Sequence, residues 1–269
     1  MSDAATPPQA GTLILVPNAL DLGSDAPPDL REVLPLGVIE TAARLRHWVC
    51  ENAKATRAFL KRVDAIAPLA LPLQALDIRE LPRPPKGAPA PAQKGAAHAS
   101  NAPLDLAALL APALAGQDIG LISDAGLPAV ADPGAQLVAA AHAAGLTVRP
   151  LPGPSALLLA LAASGLNGQS FAFVGYVPQE ASVQAARLRE LEALSRKLDQ
   201  TQLMIETPYR NAALLRGLLA VLAPQTRLSV SCGLTLDEGF TRSDTVAGWR
   251  ARPSELPGDR PAVFALLAR

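Results

Sequence analysis

Between residues 118 and 165 the chain alternates strand-length apolar runs with helical segments, and nothing else in the sequence limits the possible folds as tightly. "DIGLIS" reads as a buried strand, "AQLVAAAHAAG" as a helix closed by Gly145, "LTVRPLP" as a strand, and "SALLLALAASG" as a helix closed by Gly165. Short apolar runs suit strands covered on both faces, and a glycine just past the last turn suits a left-handed helix cap. Alternation at this interval predicts βαβ crossovers and a parallel sheet. "TLILVPNA" supplies a further buried strand from Thr12 to Val16, stopped by Pro17, and "LDLAALLAPALAGQ" a helix ended by Gly116. The stretch "ENAKATRAFLKRV" is another helix.

From "SFAFVGYVP" (170–178) the order changes. A long charge-laced helix, "ASVQAARLRELEALSRKLDQ", is followed by the strand "TQLMIETP", the helix "YRNAALLRGLLAVLA" and the strands "RLSVSCGLT" and "PAVFALLA". Strands and helices without strict alternation predict a second, mixed sheet. A chain of 269 residues accommodates two domains, placed here at 11–167 and 168–269. Residues 1–10 are expected to be disordered. Residues 79–103, "RELPRPPKGAPAPAQKGAAHASNAP", carry few large apolar side chains and read as a loop insertion, either a solvated spacer or a basic arm that touches RNA.

Composition excludes several classes. Apolar residues make up 49% and charged residues 18%, enough for packed cores. Apolar runs such as "ALLLALAA" fall short of the roughly 20 residues a membrane span needs, and "MSDAATPPQAG" lacks the pattern of a signal peptide. A cytoplasmic protein with no membrane partner is expected. Two cysteines, Cys50 and Cys232, and three histidines cannot assemble a disulfide framework or a Cys/His metal cluster, so no metal is expected and the thiols read as buried. Twenty-four basic residues balance twenty-four acidic ones, so any attraction for nucleic acid must come from a local patch.

Ligands of open parallel sheets gather beyond the carboxyl ends of the strands. "SDAGLPAVADPG" (123–134) and "PLPGPS" (150–155) both fall there. In the first, Gly126 allows close backbone approach, Pro128 stiffens the turn, and Asp124 can accept hydrogen bonds. Asp132 and Pro133 are expected to begin the next helix as N-cap and first helical residue. In the second, Ser155 opens a helix whose free amides suit a polar group. The chain contains neither G-x-G-x-x-G nor a Walker lysine, which argues against a dinucleotide or triphosphate cradle.

These motifs, with "GTLILVP", "FAFVGYVP", "LMIETPYR" and "CGLT", resemble in order and spacing the tetrapyrrole-methylase-like (class III) S-adenosylmethionine-dependent methyltransferases. Within that superfamily the chain is most similar to the ribosomal small-subunit methyltransferase I group, which methylates a cytidine 2′-hydroxyl of 16S ribosomal RNA. The resemblance covers residues 11–24 and 104–269. It implies the two-domain α/β class III fold, with a parallel-sheet N-terminal domain and a mixed-sheet C-terminal domain, a homodimer, and S-adenosylmethionine in the cleft between the domains. Ser123, Asp124, Ala125, Gly126 and Pro128, with Ser155 and Ala156, would hold its methionine and ribose. Glu206 and Thr207 would border the adenine, and Leu234 and Ala262 would close the pocket. Pro17 and Asn18 would face the transferred methyl and the substrate. Arg210 would either position substrate phosphate or cap a helix.

Departures from the group lie on the substrate side. "PNALDLG" replaces a Pro-Ile-Gly-Asn turn, "ENAK" (51–54) replaces a Glu-Asp-Thr-Arg cluster, and "QEASVQAARL" replaces a basic Gly-rich stretch. Glu51 and Asp21 are the carboxylates nearest the family positions that would take a proton from a ribose hydroxyl. Each of these changes removes groups that would grip RNA, yet the resemblance still implies an RNA ribose on ribosomal RNA or the 30S subunit as the acceptor. The alternatives are a small-molecule or tetrapyrrole-like acceptor, and a non-catalytic binding or regulatory paralogue.

Overall fold

The computed structural model describes residues 10–21, 27–82 and 106–269. The expected disorder of 1–10 and most of the 79–103 insertion lie outside these residues. At its start the insertion is narrower than expected, because Arg79 and Glu80 close a strand whose residues pair with Val49 and Cys50. The chain forms two compact units, one comprising residues up to Asn18 with Leu30–Gly153, the other Ala19–Asp29 with Pro154–Arg269.

The N-terminal unit is built on β1 (Thr12–Leu15), β2 (His47–Cys50), β3 (Asp77–Glu80), β4 (Ile119–Ile122) and β5 (Thr147–Pro150), in the order β3-β2-β4-β1-β5. Every pairing is parallel. Its helices are α1 (Leu30–Val33), α2 (Leu36–Arg44), α3 (Ala53–Asp64), α4 (Leu106–Leu114) and α5 (Ala135–Ala143). The βαβ expectation is met because β4 is apolar throughout and buried at all four positions. Its core gathers Leu13, Val49, Ile119 and Leu121 from the strands with Leu110, Leu137 and Ala141 from the helices. Asn52 caps α3, its side chain accepting from the Lys54 amide at 2.9 Å and the Ala55 amide at 3.3 Å.

The C-terminal unit holds α6 (Ala156–Ser164), β6 (Phe171–Phe173), α7 (Ala181–Leu198), β7 (Thr201–Glu206), α8 (Asn211–Val221), β8 (Arg227–Cys232), β9 (Phe240–Thr245), α9 (Val246–Ala251) and β10 (Ala262–Leu267). Its sheet runs β6-β7-β10-β8-β9 and is mixed, with β6 parallel to β7 and the other pairs antiparallel. The division between units falls before α6, at Gly153 and Pro154, ahead of the position between 167 and 168 set from the sequence. Leu157, Ala160 and Leu161 of α6 form one apolar cluster with Leu203, Val263 and Ala265 of the mixed sheet, which assigns the helix to that side. Among the described residues no helix is long and apolar enough to cross a membrane.

Both cysteines are free and buried. Trp48 packs edge-on against Phe59 at a centroid separation of 6.5 Å, and the indole of Trp249 donates to the Leu228 carbonyl at 2.8 Å.

Candidate functional site

Parallel strands deliver their carboxyl ends to one edge, and the residues just past those ends form the rim of the N-terminal unit. The Val16 amide donates to the Leu121 carbonyl at 2.8 Å, Leu151 to Leu15 at 3.0 Å, and Glu51 to Ile122 at 3.4 Å. Pro17, Glu51, Ser123 and Gly153 are thereby aligned across neighbouring strands. At Gly153 an added Cβ would fall inside van der Waals contact with the Pro17 ring, so the two bends meet with no room for a side chain.

Asn18 has become part of the scaffold. Its amide donates to Gly126 at 2.9 Å and its carbonyl accepts from Gly126 at 3.2 Å, forming an isolated antiparallel bridge. Its side-chain Nδ2 donates to the carbonyls of Ser123 at 3.2 Å and Asp124 at 3.0 Å. The turn after β1 therefore grips the turn after β4, and Asn18 is only 6% exposed. Ser123, Gly126 and Pro128 are buried along this loop, while Asp124 and Ala125 are half-buried.

The loop then takes an unusual path, with left-handed φ angles at Gly126 (66°), Ala129 (64°), Ala131 (67°) and Gly134 (130°). Left-handed alanines carry steric cost, and such strain persists only where surrounding structure fixes it. The path overturns the expected N-cap. Gly134 occupies that position, α5 begins at Ala135, and no side chain caps it. The positive φ of Gly134 reverses the chain between Pro133 and the helix, which leaves Asp132 in the loop.

Asp132 is the rim residue that the sequence reading did not place in the site. Burial, then the Glu51 charge, raises its carboxyl from 3.8 to about 6, with Asp124 adding to the rise and the Ser123 hydroxyl opposing it. That hydroxyl is fully buried and completes no hydrogen bond of regular geometry. The signal was present in "ADPG", since a glycine directly after Asp-Pro can break the helix start that Asp-Pro alone suggests.

In the C-terminal unit the expected residues converge at one edge of the mixed sheet. Ala262 pairs with Glu206 on one side and Cys232 on the other, so the ends of β7 and β8 flank the start of β10. Leu234, just past β8, packs with Ala156 and Ile205 against the cluster that holds Val263. Ser155 stands at the N-cap of α6 and makes no capping hydrogen bond, so the first amides of that helix lack a side-chain partner. Glu206 is buried and internally engaged, its Oε1 accepting from the Thr207 amide at 2.8 Å and the Thr207 hydroxyl at 3.2 Å. Its Oε2 accepts from Arg210 Nε at 3.1 Å. Arg210 stands at the N-cap position of α8, but its side chain makes no cap hydrogen bond there. Asp21 belongs to the C-terminal unit and Glu51 to the N-terminal one.

The family model of the Tetrapyrrole (Corrin/Porphyrin) Methylases matches residues 35–246. The chain belongs to this family. Among its methylase relatives, Ribosomal RNA small subunit methyltransferase I of Vibrio cholerae is 39% identical over 122 residues, 45% of this chain and 41% of that protein. The protein of the same name from Mesorhizobium japonicum is 35% identical over 170 residues, 57% of this chain and 56% of its own. That from Xylella fastidiosa is 36% identical over 174 residues, 65% and 62%. The chain thus spans roughly half the length of these relatives, from 41% to 62%. A solved uroporphyrin-III-C-methyltransferase from Thermus thermophilus aligns over 96% of this chain and 92% of its own at 18% identity, with a TM-score of 0.49.

Proposed function

We infer that the chain transfers a methyl group from S-adenosylmethionine to a ribose 2′-hydroxyl of small-subunit ribosomal RNA, working as a homodimer in the cytoplasm. Family membership over residues 35–246 and the shared name of the relatives support the reaction class and the acceptor. The single observation that carries the chemistry is Asp132, a carboxylate raised to about 6 beside Glu51 and the buried Ser123 hydroxyl. A neutral hydroxyl needs a proton acceptor matched to working pH, and an ordinary carboxylate is too weak a base.

The residues present fit the cofactor. The buried Ser123 hydroxyl, which completes no hydrogen bond of regular geometry, has capacity left for a ligand, and the uncapped amides of α6 suit a carboxylate. By the family resemblance, Pro17, Ser123, Asp124, Ala125, Gly126 and Pro128, and Ser155, Ala156, Glu206, Thr207, Leu234 and Ala262, are the residues that would hold it. When bound it supplies a sulfonium methyl carbon that is attacked by the acceptor oxygen, releasing the thioether. The Asp132 carboxylate takes the proton the hydroxyl gives up, and Glu51 keeps that carboxyl basic. Asn18 fixes the loop that carries them, since displacement at carbon depends on holding the reacting atoms in line. Arg210 serves by holding Glu206.

The test has two stages. Calorimetric titration with S-adenosylmethionine and S-adenosylhomocysteine is expected to give saturable binding. Labelled methyl transfer is then assayed on 30S subunits, naked ribosomal RNA and a metabolite extract in parallel. Label in ribosomal RNA is expected, at a rate rising with pH through about 6 and flattened by Asp132→Asn. Label only in the extract would reassign the acceptor, and absence of both binding and transfer would remove the reading altogether.

A further inference from the structure

The N-terminal unit carries a second polar recess that the methyl-transfer chemistry does not use. A cavity of about 320 Å³ has Arg44, Arg46, His47, Gln117, Asp118 and Arg149 among its lining residues. Its charged side chains come from separate places: Arg44 ends α2, Arg46 precedes β2, Asp118 precedes β4, and Arg149 lies in β5. The recess therefore opens near the amino ends of β2 and β4, whereas Glu51 and Ser123 lie past their carboxyl ends. Four strand residues, about 13 Å, separate the two places.

Three guanidinium groups face one carboxylate here, in a chain whose net charge is zero. That carboxylate is already engaged, Asp118 Oδ1 accepting from the Thr12 amide at 2.8 Å. His47 is held between Asp77, at 3.1 Å from Nδ1, and Gln117 at Nε2. Among the described residues Arg44 reaches only the Thr41 hydroxyl, at 3.4 Å. Among the described residues neither Arg46 nor Arg149 has an ion-pair partner for its side chain. One carboxylate leaves an excess of positive charge among three arginines; like charges repel, and an anion bound among them lowers that cost. Guanidinium forks match the paired oxygens of a phosphate.

We propose that this arginine-lined recess binds the phosphodiester backbone of the RNA acceptor, a strand's length from the methyl-transfer rim. The assignment rests on the RNA reading given above. The size and the exposure of the recess favour a polynucleotide over a free ion. The recess is far larger than one phosphate, and its arginines are exposed to an incoming strand. A chain of nucleotides also spans the separation from Glu51 and Ser123, which a lone phosphate does not.

The test uses the full chain with Arg46→Ala, Arg149→Ala and the double variant. Both side chains are exposed, so the core is untouched, and the melting curve and S-adenosylmethionine titration check that each variant folds. Binding is measured by fluorescence anisotropy on a 16S ribosomal RNA fragment across a salt series. The double variant is expected to weaken RNA binding about tenfold and to lower the slope of log affinity against log salt by about one to two. In methyl transfer the loss falls on KM for RNA rather than on kcat. Arg46→Lys with Arg149→Lys restores part of the affinity, since charge returns without the fork. If the wild type methylates RNA and the double variant binds it equally well, the recess is not an RNA contact and the function stands. If inorganic phosphate saturates the wild type but not the double variant while RNA affinity is unchanged, the site belongs to a free phosphate and the RNA assignment falls. If the wild type neither binds nor methylates RNA, the functional reading fails, and this inference with it.

Discussion

Asp132 shows how a single side chain links fold and chemistry. Its folded value of about 6 lies above the ordinary 3.8, so the folded protein holds this proton more tightly than the unfolded chain does. Stability from this group is present at low pH, declines as pH rises from about 4 to about 6, and is absent above that. Asp132→Asn removes the half-buried charge and is expected to stabilise the fold at pH 8 by on the order of 1–3 kcal/mol. The gain should vanish near pH 4, and denaturant unfolding at the two pH values checks both signs. Asn18 makes the opposite kind of contribution. Asn18→Ala leaves the Ser123 and Asp124 carbonyls without their shared donor and should cost about 1–3 kcal/mol. Because the same donor shapes the rim, titration calorimetry should also show weaker cofactor binding. The sequence marked Asn18 by position and type, but which groups its amide meets depends on a loop more than a hundred residues away.

At the scale of elements, the bends after β1 and β5 are fitted to each other. Gly153→Ala pushes a methyl into the Pro17 ring and is expected to destabilise the N-terminal unit by about 1–3 kcal/mol, seen as a lowered melting temperature. The left-handed alanines offer the converse test. Ala129→Gly and Ala131→Gly relieve strain at φ 64° and 67°, and each should raise stability by up to about 1 kcal/mol once the added chain entropy is offset. Elements were legible where their residues carried a period or an apolar run. α5 and α6 close as the glycines suggest, with left-handed φ at Gly145 and Gly165. β9, "FTRSDT", was not legible, because every residue is half-buried and no apolar alternation marks it. It is specified by its neighbour: its backbone pairs in register with β8, the Ser231 and Thr241 hydroxyls meet at 2.8 Å, and Arg242 lies 3.9 Å over the Trp249 ring.

For the whole molecule, any ligand that binds only the folded form stabilises it by mass action. S-adenosylhomocysteine at about a hundred times its Kd is expected to add about 2.7 kcal/mol, read as a rise in melting temperature that depends on concentration. The sequence by itself determined the order of elements, a parallel sheet followed by a mixed one, and the turns that would matter, because periodicity and glycine or proline punctuation act over a few residues. Only the tertiary structure decided that α6 belongs with the second sheet, that Asp132 leaves the helix start for the company of Glu51, and that Arg46 and Arg149 share a recess. Those outcomes depend on which buried surfaces and charges meet across long sequence separations, and neither local propensity nor spacing encodes such meetings.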